Sequence, residues 1–369
     1  MKKTRYRLKA EWEEQIAILM AFPHKNSDWA AHIEEARECF MCLIEQILSF
    51  EAVILCVDTD DEEGIALLSA HFKEHIALAQ NKDSQSHQQY GLHIVRVPLN
   101  DTWARDFGGI SVEAEGGEGI VLFDFIFNGW GLKYPANYDN HITQNIVQQV
   151  HKSILSPLVE SIFAPHRIIK ADMVLEGGSI ESNGAGVLLT NTQCLLESHR
   201  NPHLNQQEIE SRLKEYFGLD SVLWLTQGYL AGDDTDSHID TLARFIAPDS
   251  IAYIVCEDKE DEHFEALTRM QEELRALRQP SGEPYKLIAL PFTQAIYDEQ
   301  GQRLPASYAN FLFVNGGLLV PTYGDKNDKK ALEILSKALP KHRVVGVDCR
   351  SLILWHGSLH CVSMQLYIS

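Results

Sequence analysis

RDFGGISV (105–112), LEGGSIES (175–182) and VNGGLLVPT (314–322) share one device. In each, two glycines stand directly before an apolar run. Glycine pairs mark turns, and short apolar runs bounded by turn residues read as strands. The three copies predict a recurring unit of roughly 70 residues, which argues for one large repeat-built domain over residues 1–369 rather than three separate ones.

Outward from these stretches, further β-rich runs recur along the chain. They are AVILCVD (52–58), LHIVRVPL (92–99), IVLFDFIF (120–127), GVLLTN (186–191), IAYIVCED (251–258), FLFVNGGLLVPTY (311–323) and HRVVGVDC (342–349). Amphipathic stretches lie between them. SDWAAHIEEARECFMCLIEQILSF predicts a helix with Ser27 or Asp28 as N-cap. LNQQEIESRLKEYFG carries a capping box, Asn205 with Glu208, and a terminal Gly218. DKKALEILSKALPKH predicts a helix from Asp328 that meets Pro340. The acidic run EDKEDEHFE (257–265) reads as a solvated helix start, and NKDSQSHQQYG (81–91) as a surface loop. Alternating strands and helices predict an α/β chain.

Composition narrows the function. The 369 residues are 45% hydrophobic and 23% charged, an ordinary globular balance with ample material for a core. The formal net charge of −20 argues against nucleic acid and suits a small cationic substrate. No apolar run is long enough to span a membrane, and MKKTRYRLKAEWEEQ lacks the apolar core of a signal peptide. Seven cysteines, an odd number, fit reduced thiols in a cytoplasm.

Three segments concentrate chemistry. HID (238–240), if extended, sets an imidazole and a carboxylate on one face. NDTWARDFGGI (100–110) holds Trp103 and Asp106, and WHGSLHC (355–361) ends in Cys361. His356, His360 and Cys361 are zinc-type donors. However, Gly357 and Ser358 argue against a shared helix, and no HExxH partner exists, so no metal is expected. A cysteine with a distant histidine and carboxylates is how a nucleophilic site looks before folding. Carboxylates alone would disfavour a thiolate, so Cys361, His238, Asp106 and Asp240 make sense together if the substrate brings the positive charge. A guanidinium is planar, forked and matched by carboxylates.

Six motifs in order carry a resemblance: EWEEQIAILMAFPH, NDTWARDFGGI, LEGGSIESNGAGVLLTN, GDDTDSHIDTLARF, SYANFLFVNGGLLVPTYGDKND and GSLHCVSMQ. Together they span nearly the whole chain, which resembles the agmatine deiminase family, including the bacterial-type peptidyl-arginine deiminases. The resemblance implies a guanidine-modifying enzyme with a five-bladed α/β propeller (pentein) fold. It implies Cys361 as nucleophile, His238 as general acid/base, Asp106 and Asp240 as guanidinium clamps, and Glu176 as the acid orienting histidine and guanidinium. Trp103 is implied to pack near the substrate. Two departures stand out. Trp355 and His356 replace the first two of the family's three glycines, and Ser237 replaces the glycine before the histidine.

The expected substrate is agmatine, with Asp233 and Asp234 as partners of its distal amine, and no cofactor is required. Peptidyl-arginine is the alternative substrate, and a non-catalytic binding member a further one. Arg105 and Arg244 keep free arginine open, since either could hold an α-carboxylate. A homo-oligomer is also open.

Overall fold

A computed structural model describes residues 5–80, 90–116 and 119–367. The expected loop at 81–91 lies almost wholly outside the described residues. The chain forms two compact units. One contains residues 14–177 and the segment from 361 onward; the other contains the residues up to 13 together with 178–360.

In the first unit, Ala17–Ala21, Ala52–Val57 and Leu92–Arg96 pair in parallel. Helix Ile33–Leu48 makes the first crossover. AILMA and AVILCV are buried at every position, the continuous apolar reading of strands covered on both faces. Met364–Leu366, from the far end of the chain, adds antiparallel to Ala17–Ala21. In the same unit Ile110–Ala114 pairs antiparallel with Gly119–Ile126, which pairs parallel with Ile168–Val174.

The second unit repeats this pattern three times. Ile180–Ser182, Val187–Asn191 and Ser221–Leu225 form one sheet. Ala243–Ala247, Ser250–Val255 and Lys286–Pro291 form the next. Leu312–Val314, Gly317–Thr322 and Arg343–Asp348 form the third. Each is an antiparallel hairpin followed by a parallel strand, joined by helix Gln206–Phe217, Phe264–Ala276 or Asp328–Ala338. Parallel neighbours need such a crossover. Among the described residues there are five sheets with this shared core, and no helix is long and apolar enough to cross a membrane.

The capping box is as expected: Asn205 and Glu208 exchange hydrogen bonds of 3.1 and 2.8 Å. Gly218 takes φ 64°, and a side chain there would strike the Tyr6 carbonyl.

Four expectations take a definite form, two of them as corrections. The third glycine pair is out of phase with the other two. Gly108–Gly109 and Gly177–Gly178 precede the first strand of a sheet, whereas Gly316 sits with Asn315 in a hairpin turn and Gly317 opens the second strand, opposite Val314. Helix Ile33–Leu48 is preceded by a 3-10 turn, Asp28–His32, that carries Trp29 into the core, and Ser27 makes no side-chain cap. HID is not a strand. Ile239–Thr241 is a 3-10 turn, closed by Thr241 Oγ1 donating to the His238 carbonyl. The acidic run 257–265 leads into helix Phe264–Ala276, whose first turn carries Glu265, while Asp261 ahead of it pairs with Arg303 at 2.7 Å.

Candidate active site

Each chemistry-bearing residue foreseen in the sequence at a sheet's lead-in stands just before that sheet's first strand. Asp106 precedes Ile110–Ala114, and Glu176 precedes Ile180–Ser182. His238 and Asp240 precede Ala243–Ala247, and Cys361 precedes Met364–Leu366. The remaining sheet has Asn310 at this place, before Leu312–Val314. The repeating feature is therefore a polar lead-in, which the glycine pairs mark in only two sheets.

In the first unit, Asp106 lies on the short helix Ala104–Phe107 and is buried. Its Oδ2 accepts from the indole Nε1 of Trp130 at 2.9 Å. Trp130 sits in a turn whose residues Gly129 to Leu132 all have φ between 54° and 80°. Non-glycine residues adopt this left-handed conformation at a cost of about 1–2 kcal/mol each. The turn aims the indole at Asp106, and Phe127 packs edge-on against it at 5.0 Å. Sequence reasoning missed Trp130; its signal was a tryptophan between two glycines after a strand, FNGWG.

The loop ahead of Asp106 is held by buried carboxylates. Asp58 accepts from the Leu99 amide at 3.1 Å. Asp139 accepts from the amides of Asn100 and Asp101 at 2.7 and 3.1 Å. Asp101 accepts from Trp29 Nε1 at 2.8 Å. Burial pushes Asp139 well above the usual carboxylate range and Asp101 up to about 6. Trp103 is buried with its ring 5.8 Å from that of Trp29.

Cys361 joins this group through the backbone: its carbonyl accepts from the Arg105 amide at 3.1 Å. The Arg105 guanidinium donates to Gln365 Oε1 at 2.5 Å. Glu176 is fully buried, and the next residue, Gly177, runs so close to the Arg105 carbonyl that a Cβ would lie 2.2 Å from it. The structure thus gathers Cys361, Asp106 and Trp103 around one short segment, 103–106.

In the second unit, His238 and Asp240 are buried on the same 3-10 turn. Asp240 Oδ2 lies 2.8 Å from His360 Nδ1. His360 Nε2 lies 2.7 Å from Glu11 Oε1. Arg244, fully buried, pairs with Glu11 and, at 2.9 Å, with Glu181. It also donates to the Phe311 carbonyl at 2.8 Å. Burial alone would raise Asp240. The His360 hydrogen bond and charge, with His238 and Arg244, outweigh it and hold Asp240 below the usual carboxylate range. Glu11, Arg244 and His360 form a network that sequence reasoning did not assemble, because Glu11 and His360 lie at opposite ends of the chain.

Asp233 works within its own loop. It accepts from Thr235 Oγ1 and the Ser237 amide, each at 2.6 Å, and burial raises it. Asp234 is half-buried beside it. Both departures from glycine fall where glycine is favoured: Ser237 has φ 66° and His356 φ 64°. Each is offset by a side-chain bond. Ser237 Oγ donates to Gln193 at 2.9 Å, and His356 Nδ1 lies 2.7 Å from the Gly232 carbonyl. Arg105 and Arg244 are both committed to internal partners, which corrects the expectation that either is available for a substrate carboxylate.

Comparison with known proteins gives a consistent neighbourhood. The family model for Porphyromonas-type peptidyl-arginine deiminases matches residues 7–366. An agmatine deiminase of Pseudomonas aeruginosa (strain UCBPP-PA14) is 30% identical, with 98% of this chain and 95% of that protein covered. A Cys-to-Ser variant of C. jejuni agmatine deiminase, solved with substrate bound, has 37% identity and a TM-score of 0.84, covering 100% of this chain and 98% of that one. A crystal structure provisionally named a peptidyl-arginine deiminase has 50% identity and a TM-score of 0.87, covering 100% and 99%.

Proposed function

The chain belongs to the Porphyromonas-type peptidyl-arginine deiminase family, and we propose that within it this protein is an agmatine deiminase. It is a hydrolase of amidine C–N bonds that converts agmatine and water to N-carbamoylputrescine and ammonia. The observation that carries this reading is the shared lead-in: Asp106, Glu176, His238 with Asp240, and Cys361 each precede the first strand of a like sheet. Five such sheets support a single five-bladed propeller (pentein) domain over 1–369, in which the lead-ins converge on one centre.

In this reading Asp106 and Asp240 clamp the guanidinium, and Glu176 orients it with His238. The substrate's charge favours the Cys361 thiolate, which attacks the guanidinium carbon. His238 gives its proton to the departing nitrogen and ammonia leaves. The amidino-thioether is then attacked by water, whose proton returns to His238, and the ureido product frees the thiol. Trp103 packs beside the substrate, and Asp233 and Asp234 provide negative surroundings for the distal amine. The commitment of Arg105 and Arg244 to internal partners favours a substrate without an α-carboxylate. Seven free thiols support a reducing, cytoplasmic setting.

Peptidyl-arginine is the second reading, favoured by the family description and by the structure at 50% identity. The test is ammonia release from agmatine, L-arginine and an internal peptidyl-arginine. Agmatine turnover is expected, and Cys361→Ser should lower it at least about a thousandfold. Preference for the peptide would keep the chemistry and replace the substrate; no release from any of the three would overturn both readings.

A further inference from the structure

His360 has no role in the mechanism above, yet it is fully buried and touches a carboxylate at each ring nitrogen. We infer that His360 is a positioning residue: a permanent imidazolium, pinned between Glu11 and Asp240, that keeps the Asp240 carboxylate charged and aimed.

The argument starts from donor count. A neutral imidazole has one N–H and one lone pair; only the cation donates from both nitrogens. At 2.8 Å to Asp240 and 2.7 Å to Glu11, both nitrogens are within donating distance of carboxylate oxygens. A neutral His360 would need one of these acids to be protonated. Glu11 is a poor candidate, because its other oxygen pairs with Arg244. Protonating Asp240 instead would remove a counter-charge of the fully buried Arg244, which by itself favours the ionised carboxylate. The groups facing this pair are Glu11, Asp240, Glu181, Arg244 and His238. With His360 charged and His238 neutral, three carboxylates oppose two cations, leaving one negative charge.

The backbone of His360 is fixed as well. Its amide donates to Asn310 Oδ1 at 2.9 Å. Asn310 in turn reaches the Asp240 carbonyl at 3.4 Å. Ring and backbone thus tie one residue to the Asp240 turn twice, and Cys361 is the next residue in the chain. The segment around Glu11, EWEE, becomes part of the catalytic support and not merely the start of the fold.

The protonation state stands by itself; its catalytic consequence rests on the proposed function. The first test therefore needs no turnover. In the full-length ¹⁵N-labelled protein, imidazole correlations assigned with His360→Gln are followed from pH 6 to 9. Both His360 nitrogens are expected to carry protons at about pH 7, where an ordinary histidine, near 6.5, is mostly neutral. Neutral-tautomer signals at pH 7 would overturn the inference.

The second test uses Glu11→Gln, which keeps the shape and removes one counter-charge. His360 should then lose its proton within the measured range. Agmatine kcat/KM should fall as pH rises from about 7 to 9, mainly through KM, where wild type shows no such decline. His360→Asn keeps a donor towards Asp240 but no charge, so the acid limb should move up by about one pH unit. Glu11→Asp should restore part of the wild-type profile. A loss that is the same at every pH would make Glu11 and His360 a structural brace and sink the positioning role. If wild type turns over no agmatine, the functional reading fails, and the spectra still decide the protonation state.

Discussion

Two carboxylates proposed for one task are held in opposite ways. Asp106 receives a neutral donor, the Trp130 indole, from a strained left-handed turn. Its loop is braced by Asp101 and Asp139, whose burial raises them towards the neutral form. Asp240 instead faces a buried imidazole and guanidinium, which together outweigh its burial and hold it below the usual carboxylate range. Burial by itself does not decide the charge of a carboxylate; the nearest donors do. A neutral donor orients a carboxylate and leaves its charge for a ligand, whereas a cation also guarantees that the charge is there.

The largest expected effect tests this contrast directly. Asp240→Asn leaves the buried cations short of a counter-charge and should cost about 3 kcal/mol of stability. Asp106→Asn keeps an oxygen for the Trp130 indole and should cost less than about 1 kcal/mol. Denaturant unfolding of both variants would show equal losses if the contrast is false.

Next comes pH. Asp240 is depressed in the fold, so its contribution is present above its unfolded value of about 3.9 and is lost as pH falls through the folded value. Asp101 runs the other way: raised to about 6, its contribution is complete below its unfolded value and lost as pH rises through about 6. Asp101→Asn should therefore flatten the stability profile between about pH 4 and 6. Thermal melts of wild type and variant that run parallel across this range would refute it.

A smaller effect is expected for Trp130→Phe, which removes one hydrogen bond to Asp106. Loss of about 1 kcal/mol corresponds to roughly a fivefold fall in agmatine kcat/KM; unchanged kinetics would show that the strained turn serves packing alone. Smallest is Ser237→Gly. Relief of the positive φ should add about 0.5–1 kcal/mol, reduced by loss of the bond to Gln193. Destabilisation would mean that the serine's bond outweighs its backbone cost.

Local signals carried much of this fold. The Asn205–Glu208 box and Gly218 could be read at single-residue resolution because a cap is made by neighbours in the chain. Most strands were equally legible, since apolar runs reflect burial. The motifs identified the residues now placed at the sheet lead-ins. What escaped was tertiary. The third glycine pair copied the composition of the repeat but not its phase. HID could be strand or turn until Thr241 closed it. His360 offered only a metal-donor reading, because its partners Glu11 and Asp240 lie 349 and 120 residues away. Trp130 lay in an unremarked loop, since no propensity favours four successive left-handed residues.

The pairing of Met364–Leu366 with Ala17–Ala21 has a consequence for how the protein is made. The ribosome delivers the sheet's parallel strands long before its antiparallel edge. Until then Ala17–Ala21 keeps an open edge, a surface that invites mispairing with other nascent chains. Cys361 arrives with that same late segment. The edge strand that covers Ala17–Ala21 and the thiol proposed as nucleophile are therefore delivered within a few residues of each other.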